Sequence, residues 1–410
     1  MSDLALRALS ALGLAAIVGV AWAFATERRR LPWRVIAWGG GLQLGLGLLL
    51  LRTEAGRRFF VAVNDAVNGL VRFTDAGTRF MFGPLKEGGF SFALEVLPII
   101  IFMGSVFGIL YHLGIIQRVV GLLARGLARS MGISGAESLA AVANIFVGMT
   151  EAPLMVRPYL ERMTRSELFC VMTTGMASIA GSVLVAYAKM LGEADYAGHL
   201  VTASLLSAPA GVLIAKVMVP ETETPLTGAA AGALVARSSV NVIDAAAEGA
   251  LAALRLAAYV GGLLIAFVAL VAMANAGVET VGGWLGSEGL TLQRIFGWCF
   301  APLALLMGIA PADALEVGSL LGLKTVLNEF LAYQDLAQQI AAGAISERSA
   351  VIASYGLCGF ANFGSLAILI GGMGGMAPSR RGEIAALGMR SILAGTLASA
   401  MTGCVAGIFL

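Results

Sequence analysis

Long apolar runs separated by short polar breaks dominate the chain. About twenty mostly apolar residues, coiled into a helix, match the hydrocarbon thickness of a bilayer. Such runs cover 5–25, 34–51, 91–113, 168–191, 197–219, 254–276, 350–373 and 385–409, which predicts an all-α membrane protein of about eight transmembrane helices. Residues 52–82 break the pattern, because Arg52, Arg57 and Arg58 are interleaved with Glu54 and Asp65; this segment reads as amphipathic and interfacial.

Two further apolar stretches, 134–163 and 313–345, are interrupted near their middles. The first carries Asn144, Gly148, Met149, Thr150, Glu151 and Pro153; the second carries Gly322, Lys324, Asn328, Glu329 and Phe330. Each is too long for one span and too short for two, which predicts a re-entrant hairpin of two half-helices. Irregular backbone at membrane depth is tolerated only inside protein or beside a water-filled cavity. Each hairpin precedes a span with a polar signature, Ser178-Ile-Ala-Gly181-Ser182 in one case and Ala361-Asn362-Phe-Gly364-Ser365 in the other. One more span follows each. The order hairpin, broken span, span thus occurs twice with an odd number of crossings between, the pattern of an inverted repeat.

Composition supports the membrane reading. Of 410 residues, 58% are hydrophobic and 13% are charged, about half the charged share of a soluble domain. The net charge of +2 shows no basic face for nucleic acid. Cys170, Cys299, Cys358 and Cys404 are scattered through apolar runs, and His112 and His199 stand alone near helix ends, so neither a disulfide framework nor a zinc site is indicated. Residues 5–25 precede Arg28, Arg29 and Arg30, the reverse of a signal peptide's order, and read as a retained first span. Eight spans with both termini outside put these arginines, Arg118, Arg125 and Arg129, Arg157, Arg162 and Arg165, and Arg380 and Arg381 in the cytoplasm. Arg52, Arg57 and Arg58 fall on the outer side and conflict with that rule. Residues 220–246 read as a polar cytoplasmic linker between the halves.

Glu151 and Glu329 carry the strongest chemical signal. A charge at a helix centre costs roughly 2.5–3.5 kcal/mol on an insertion scale, so such residues line polar paths or pair internally, as Glu329 could with Lys324. Asn144, Ser178, Ser182, Asn362 and Ser365 place neutral oxygens beside the breaks. Oxygen ligands without a dense carboxylate cage suit a monovalent cation such as Na⁺. The Gly-rich run at 371–375 has neither Walker A nor Rossmann spacing, so ATP-driven transport is not expected.

At these residues the chain resembles the concentrative nucleoside transporter family. Gly322-x-Lys324-x-x-x-Asn328-Glu329-Phe330-Leu331-Ala332-Tyr333 is similar to the family's hallmark segment. Gly148-Met149-Thr150-Glu151-Ala152-Pro153-Leu154, with Arg157-Pro158-Tyr159, resembles its first hairpin tip, and Phe360-Ala361-Asn362-Phe363-Gly364-Ser365 its later substrate-binding span. The likeness runs from about Trp33 to the C-terminus.

The resemblance implies a homotrimer in the bacterial inner membrane, surrounded by lipid, each subunit with a scaffold domain and a mobile transport domain. Scaffold helices would occupy 1–114, the first transport repeat 115–219, the linker and one scaffold span 220–289, and the second transport repeat 290–410. Gly148, Met149, Thr150 and Glu151 would lie near the nucleobase with Phe360 and Val183, while Glu329, Asn362 and Ser365 would hold the ribose. A Na⁺ site would map to Asn144, the Val147 carbonyl, Ser178, the Ile179 carbonyl and Ser182. The expected function is cation-coupled nucleoside import by an elevator mechanism, driven by Na⁺ or alternatively H⁺, with no organic cofactor and no enzymatic step. Met149 stands where the family commonly has Gln, which leaves open a nucleobase, a modified nucleoside or another small polar metabolite as substrate. An intramembrane enzyme using Glu151 and Glu329 as acid and base is the rival from another class; the duplicated hairpins argue against it.

Overall fold

The structure, a computed structural model, describes residues 2–83, 85, 91–192, 195–227, 239–284 and 289–410, and every regular element among them is helical. The first two apolar runs form α1 (Asp3–Ala23) and α2 (Trp33–Arg52). Thr53 builds the corner that follows: its hydroxyl donates to the Leu49 carbonyl (2.6 Å) and accepts the Gly56 N–H (3.2 Å). Gly56 lies so close to the Leu49 and Leu50 carbonyls that a Cβ would overlap them. The chain leaves the corner as α3 (Glu54–Phe82), the expected amphipathic segment. Glu54 pairs with Arg57 and Arg58 there, which offsets part of the positive charge that conflicted with the orientation rule.

The third run forms α4 (Phe92–Glu95) and α5 (Leu97–His112), one span with a local break. An amphipathic helix, α6 (Ile115–Met131), follows between Gly114 (φ 74°) and Gly132 (φ 71°). Both glycines are left-handed, a conformation L side chains avoid, and they turn the chain into and out of α6.

The hairpin expected at 134–163 is present. Its first arm, α7 (Gly135–Ala143), opens with a capping box between Ser134 and Glu137. The return arm is two short turns, α8 (Ala152–Met155) and α9 (Arg157–Leu160), rather than one half-helix. Pro153 and Pro158 lack the N–H that would continue the ladder and sit where a first turn tolerates them. The next span is split into α10 (Arg165–Ala177), opened by a second capping box of Thr164 and Glu167, and α11 (Gly181–Met190). Its last companion, α12 (Asp195–Met218), is almost wholly enclosed. Near the end of α12, buried Lys216 pairs with Glu137 (2.7 Å) and Glu221 (3.3 Å) and donates to Ser166 Oγ (3.0 Å), tying α7, α10 and α12 together at one face.

Of the linker expected at 220–246, residues 228–238 lie outside the described residues, and the chain is already helical from Val242. The following helix, α13 (Val242–Trp284), has 43 residues where the apolar run predicts 254–276. Its Ala-rich start is polar enough to read as linker, yet Ala, Leu and Glu are strong helix formers. A further helix, α14 (Leu292–Leu306), is absent from the expected set; with 15 residues it is too short to read as a span.

The second hairpin, expected at 313–345, consists of α15 (Ala314–Val326) and α16 (Glu329–Ala341). Asp313 Oδ2 closes its base by accepting from the Ser346 hydroxyl (2.6 Å) and N–H (3.2 Å). The span expected at 350–373 is divided into α17 (Glu347–Leu357) and α18 (Phe363–Met376), and the chain ends with α19 (Arg381–Phe409). Seven helices among the described residues are long and apolar enough to cross a membrane; the eighth expected span is divided between the shorter helices α17 and α18. Helix, hairpin, broken span and span therefore occur twice, as α6–α12 and as α14–α19. Three crossings separate the hairpins, so the two repeats are inverted.

The broken spans meet at their breaks. Gly359 lies against α10 so closely that a Cβ would sit 2.9 Å from the Met176 carbonyl oxygen and 2.6 Å from Ser399 Oγ of α19. Elsewhere, Gly104 and Gly108 of α5 meet the backbone of Ala245 and Gly249 and the Cβ of Ala253 on α13, the small-residue contact by which membrane helices approach closely.

Candidate functional site

The four interrupted elements bring two clusters of oxygens together. The first forms where the tip of the first hairpin meets the α10–α11 break. Asn144 ends α7 and is 1% exposed. Its amide nitrogen donates to the Ala140 carbonyl (3.0 Å) and Thr174 Oγ (3.4 Å). Its amide oxygen is buried with no hydrogen-bond partner. Such an orphan costs about 1–3 kcal/mol unless something satisfies it. Ser178 Oγ donates to the carbonyls of Asn144 (3.2 Å) and Thr174 (3.1 Å), which ties the tip to the break. Phe146 reinforces that tie, its carbonyl accepting the Gly181 N–H (3.1 Å). The carbonyls of Val147 and Ile179 accept no backbone N–H from the described residues. Ser182 is half-buried in the first turn of α11. A buried, unpartnered amide oxygen at a tip held by the Ser178 hydroxyl is donor chemistry that fits a hard monovalent cation.

The second cluster is built around Glu329, the first residue of α16 and 4% exposed. Glu329 Oε1 accepts from the Tyr187 hydroxyl (2.9 Å) and Oε2 from Asn362 Nδ2 (2.9 Å). Asn362 caps α18: its Oδ1 accepts the Ser365 N–H (2.7 Å), which turns its nitrogen toward the carboxylate. Asn328 caps α16 by the same contact with the Leu331 N–H (3.0 Å). Helix N-termini therefore stand at both positions, and their partial positive charge favours an anion or a ligand oxygen. Tyr187 stacks on Tyr333 (centroids 4.5 Å apart) and meets Phe330 edge-on (4.7 Å), which fixes the phenol facing Glu329. Each carboxylate oxygen holds one donor and keeps acceptor capacity for another. Lys324, 1% exposed, donates to the Gly356 carbonyl (2.9 Å) and anchors α15 to α17.

The structure joins Asn144 to Ser178 and Glu329 to Asn362 by direct hydrogen bonds, and Ser365 to Glu329 only through Asn362. Val183 is buried one turn before Tyr187 on α11. Phe360 is half-buried in the α17–α18 break and accepts the Asn362 N–H (2.8 Å). Glu151 is exposed, and its carboxylate folds over Gly148, where a Cβ would lie 2.5 Å from Oε2. Thr150 is half-buried, its methyl near Gly372 of α18. Met149 is 7% exposed and packs against Gly175, where a Cβ would lie 3.2 Å from its own Cβ. Among the described residues no hydrogen bond links Glu151 to the Glu329 cluster. Two members of the site escaped the sequence reading. Thr174 and Tyr187 look like ordinary helix residues, and their partners lie 30 and 142 positions away.

Comparison with known proteins covers almost the whole chain. Residues 12–85 match the family description "Na+ dependent nucleoside transporter N-terminus", 93–194 match "Nucleoside recognition", and 199–407 match "Na+ dependent nucleoside transporter C-terminus". An uncharacterized transporter of Haemophilus influenzae is 44% identical, over 98% of this chain and 97% of its own. The nucleoside permease NupC of Helicobacter pylori is 39% identical, over 98% and 97%. The structure of CNTnw in an inward-facing substrate-bound state superposes with a TM-score of 0.92 at 42% identity, covering 98% of each chain.

Proposed function

The chain belongs to the Na⁺-dependent nucleoside transporter family and is a transporter rather than an enzyme, and from that premise we propose that it imports nucleosides across the bacterial inner membrane, driven by Na⁺. The observation that carries the ion assignment is the buried, unpartnered amide oxygen of Asn144 beside Ser178. Na⁺ would take that oxygen, the carbonyls of Val147 and Ile179, and the hydroxyls of Ser178 and Ser182. The first hairpin and the α10–α11 break both supply ligands, so the ion holds the tip in place. A nucleoside that also needs the tip then favours the same state, which is coupling in thermodynamic terms.

The substrate would lie between the two hairpin tips. Glu329 takes the ribose hydroxyls as charge-assisted donors, and Asn362 and Ser365 complete that side. The nucleobase meets Phe360, Val183 and the segment Gly148–Glu151. Transport moves 115–219 and 290–410 as one body against a scaffold of 1–114 and 220–289. Three such subunits assemble as a trimer. No covalent step occurs, so the substrate arrives inside unchanged.

A second reading keeps this mechanism and changes the base preference. Met149 replaces an amide that could donate and accept along a base edge, and a thioether offers only contact. Purines, with the larger face, then gain over pyrimidines. Competition of labelled uridine uptake by adenosine and inosine tests this; uridine binding tighter than both would exclude it.

A further inference from the structure

The structure contains a cavity of about 660 Å³ at the face that carries the basic loops. Its wall joins the α1–α2 loop, through Arg29, Arg30, Trp33 and Arg34, to Glu137 of α7 and to Lys216 and Glu221. The charges in this wall are not balanced. Lys216 is engaged by both Glu137 and Glu221. Arg34 donates to the carbonyls of Arg129 (2.6 Å) and Ser130 (3.1 Å) at the end of α6. The guanidinium groups of Arg29 and Arg30 make no hydrogen bond or ion pair with any described residue. Four cations therefore face two carboxylates in the wall, and the two guanidinium groups without a partner among the described residues supply the excess.

What surrounds the cavity selects among anions. Trp33, in its wall, is 70% exposed; Trp22, at the same end of α1, is 43% exposed and donates its indole N–H to the Arg28 carbonyl (3.0 Å). Exposed tryptophans at a span's end mark headgroup depth. Below them the outer faces of α1 and α2 are apolar, with Leu12, Leu44 and Leu48 exposed. A soluble anion has no use for such a flank, whereas acyl chains do. We propose that this cavity binds the phosphate of an anionic phospholipid, with Arg29 and Arg30 as donors and the acyl chains lying along α1 and α2. Guanidinium groups suit this because they grip phosphate oxygens bidentately.

The test is native mass spectrometry of the full-length protein released from micelles doped with phosphatidylglycerol or phosphatidylcholine. Wild type should retain phosphatidylglycerol and release phosphatidylcholine. Arg29→Gln with Arg30→Gln should bind phosphatidylglycerol about thirtyfold more weakly, at roughly fivefold per cation near a membrane surface. Arg29→Lys with Arg30→Lys should recover much of that loss. Arg118→Gln with Arg125→Gln, which removes two exposed cations from the same face, should change nothing. Equal retention of both lipids by wild type would overturn the proposal without recourse to any variant. So would equal loss in the control pair, or displacement of phosphatidylglycerol by millimolar inorganic phosphate, which would make the site one for free phosphate.

Discussion

Glu329→Gln probes the substrate side with little change of shape. In the protein as folded, Tyr187 and Asn362 each donate one hydrogen bond to this carboxylate. A glutamine can keep the Asn362 contact through its oxygen, and the Tyr187 hydroxyl can turn to accept from its nitrogen. The local fold therefore survives. What is lost is charge assistance toward the ribose. A hydrogen bond to a charged group contributes about 1.5–3 kcal/mol and a neutral one about 0.5–1.5 kcal/mol. Two ribose hydroxyls then lose about 2 kcal/mol together, which is roughly a thirtyfold rise in KM for a nucleoside. Discrimination against 2′- and 3′-deoxynucleosides should shrink in step, because a missing hydroxyl no longer leaves a charged acceptor unsatisfied. The assay is uptake of labelled nucleoside into proteoliposomes, competed by the deoxy analogues, with thermal unfolding as a control for folding. A Glu329→Gln protein that folds normally and transports with wild-type KM and wild-type discrimination would refute the placement of ribose at Glu329.

Further outcomes follow from the same geometry. Asn144→Leu removes the orphaned oxygen, so the rise in melting temperature on replacing KCl with NaCl should disappear, together with Na⁺ stimulation of uptake. Tyr187→Phe deletes one donor to Glu329 and leaves the stack on Tyr333, so KM should rise by less than for Glu329→Gln while stability falls by about 1 kcal/mol; an unchanged KM would show that the phenol does not orient the carboxylate. Gly359→Val forces a side chain into the crossing of the two breaks, where even a Cβ meets Met176 and Ser399; overpacking of this kind costs about 1–3 kcal/mol and should lower the melting temperature in detergent. Asp313→Ala frees Ser346 at the base of the second hairpin, and cysteine accessibility along 313–346 should rise if that contact holds the arms together.

The spans, both hairpins and the residues at their tips were legible because each is a local pattern: an apolar run, a polar interruption, a capping asparagine. The set of contacts that completes the site is not. Tyr187 becomes a site residue only because α11 and α16 meet, and Thr174 only because Asn144 turns its nitrogen toward it. Neither carries a composition signal. The α14 helix leaves no such pattern, because its 15 residues are shorter than a spanning run. The start of α13 at Val242 is hidden because a helix and a linker share the same small residues. Met149 shows a further limit: its type marks a departure from the family pattern, but its burial against Gly175 depends on the tertiary fold.

The most direct test of the account is uptake of labelled uridine and adenosine into proteoliposomes under an inward Na⁺ gradient, and then under a proton gradient alone. The account predicts concentrative uptake of unmodified nucleoside that needs Na⁺, collapses when the gradient is dissipated, and is lost in Asn144→Leu. Uptake driven equally by protons without Na⁺, or no nucleoside uptake under either gradient by protein that folds normally, would contradict it.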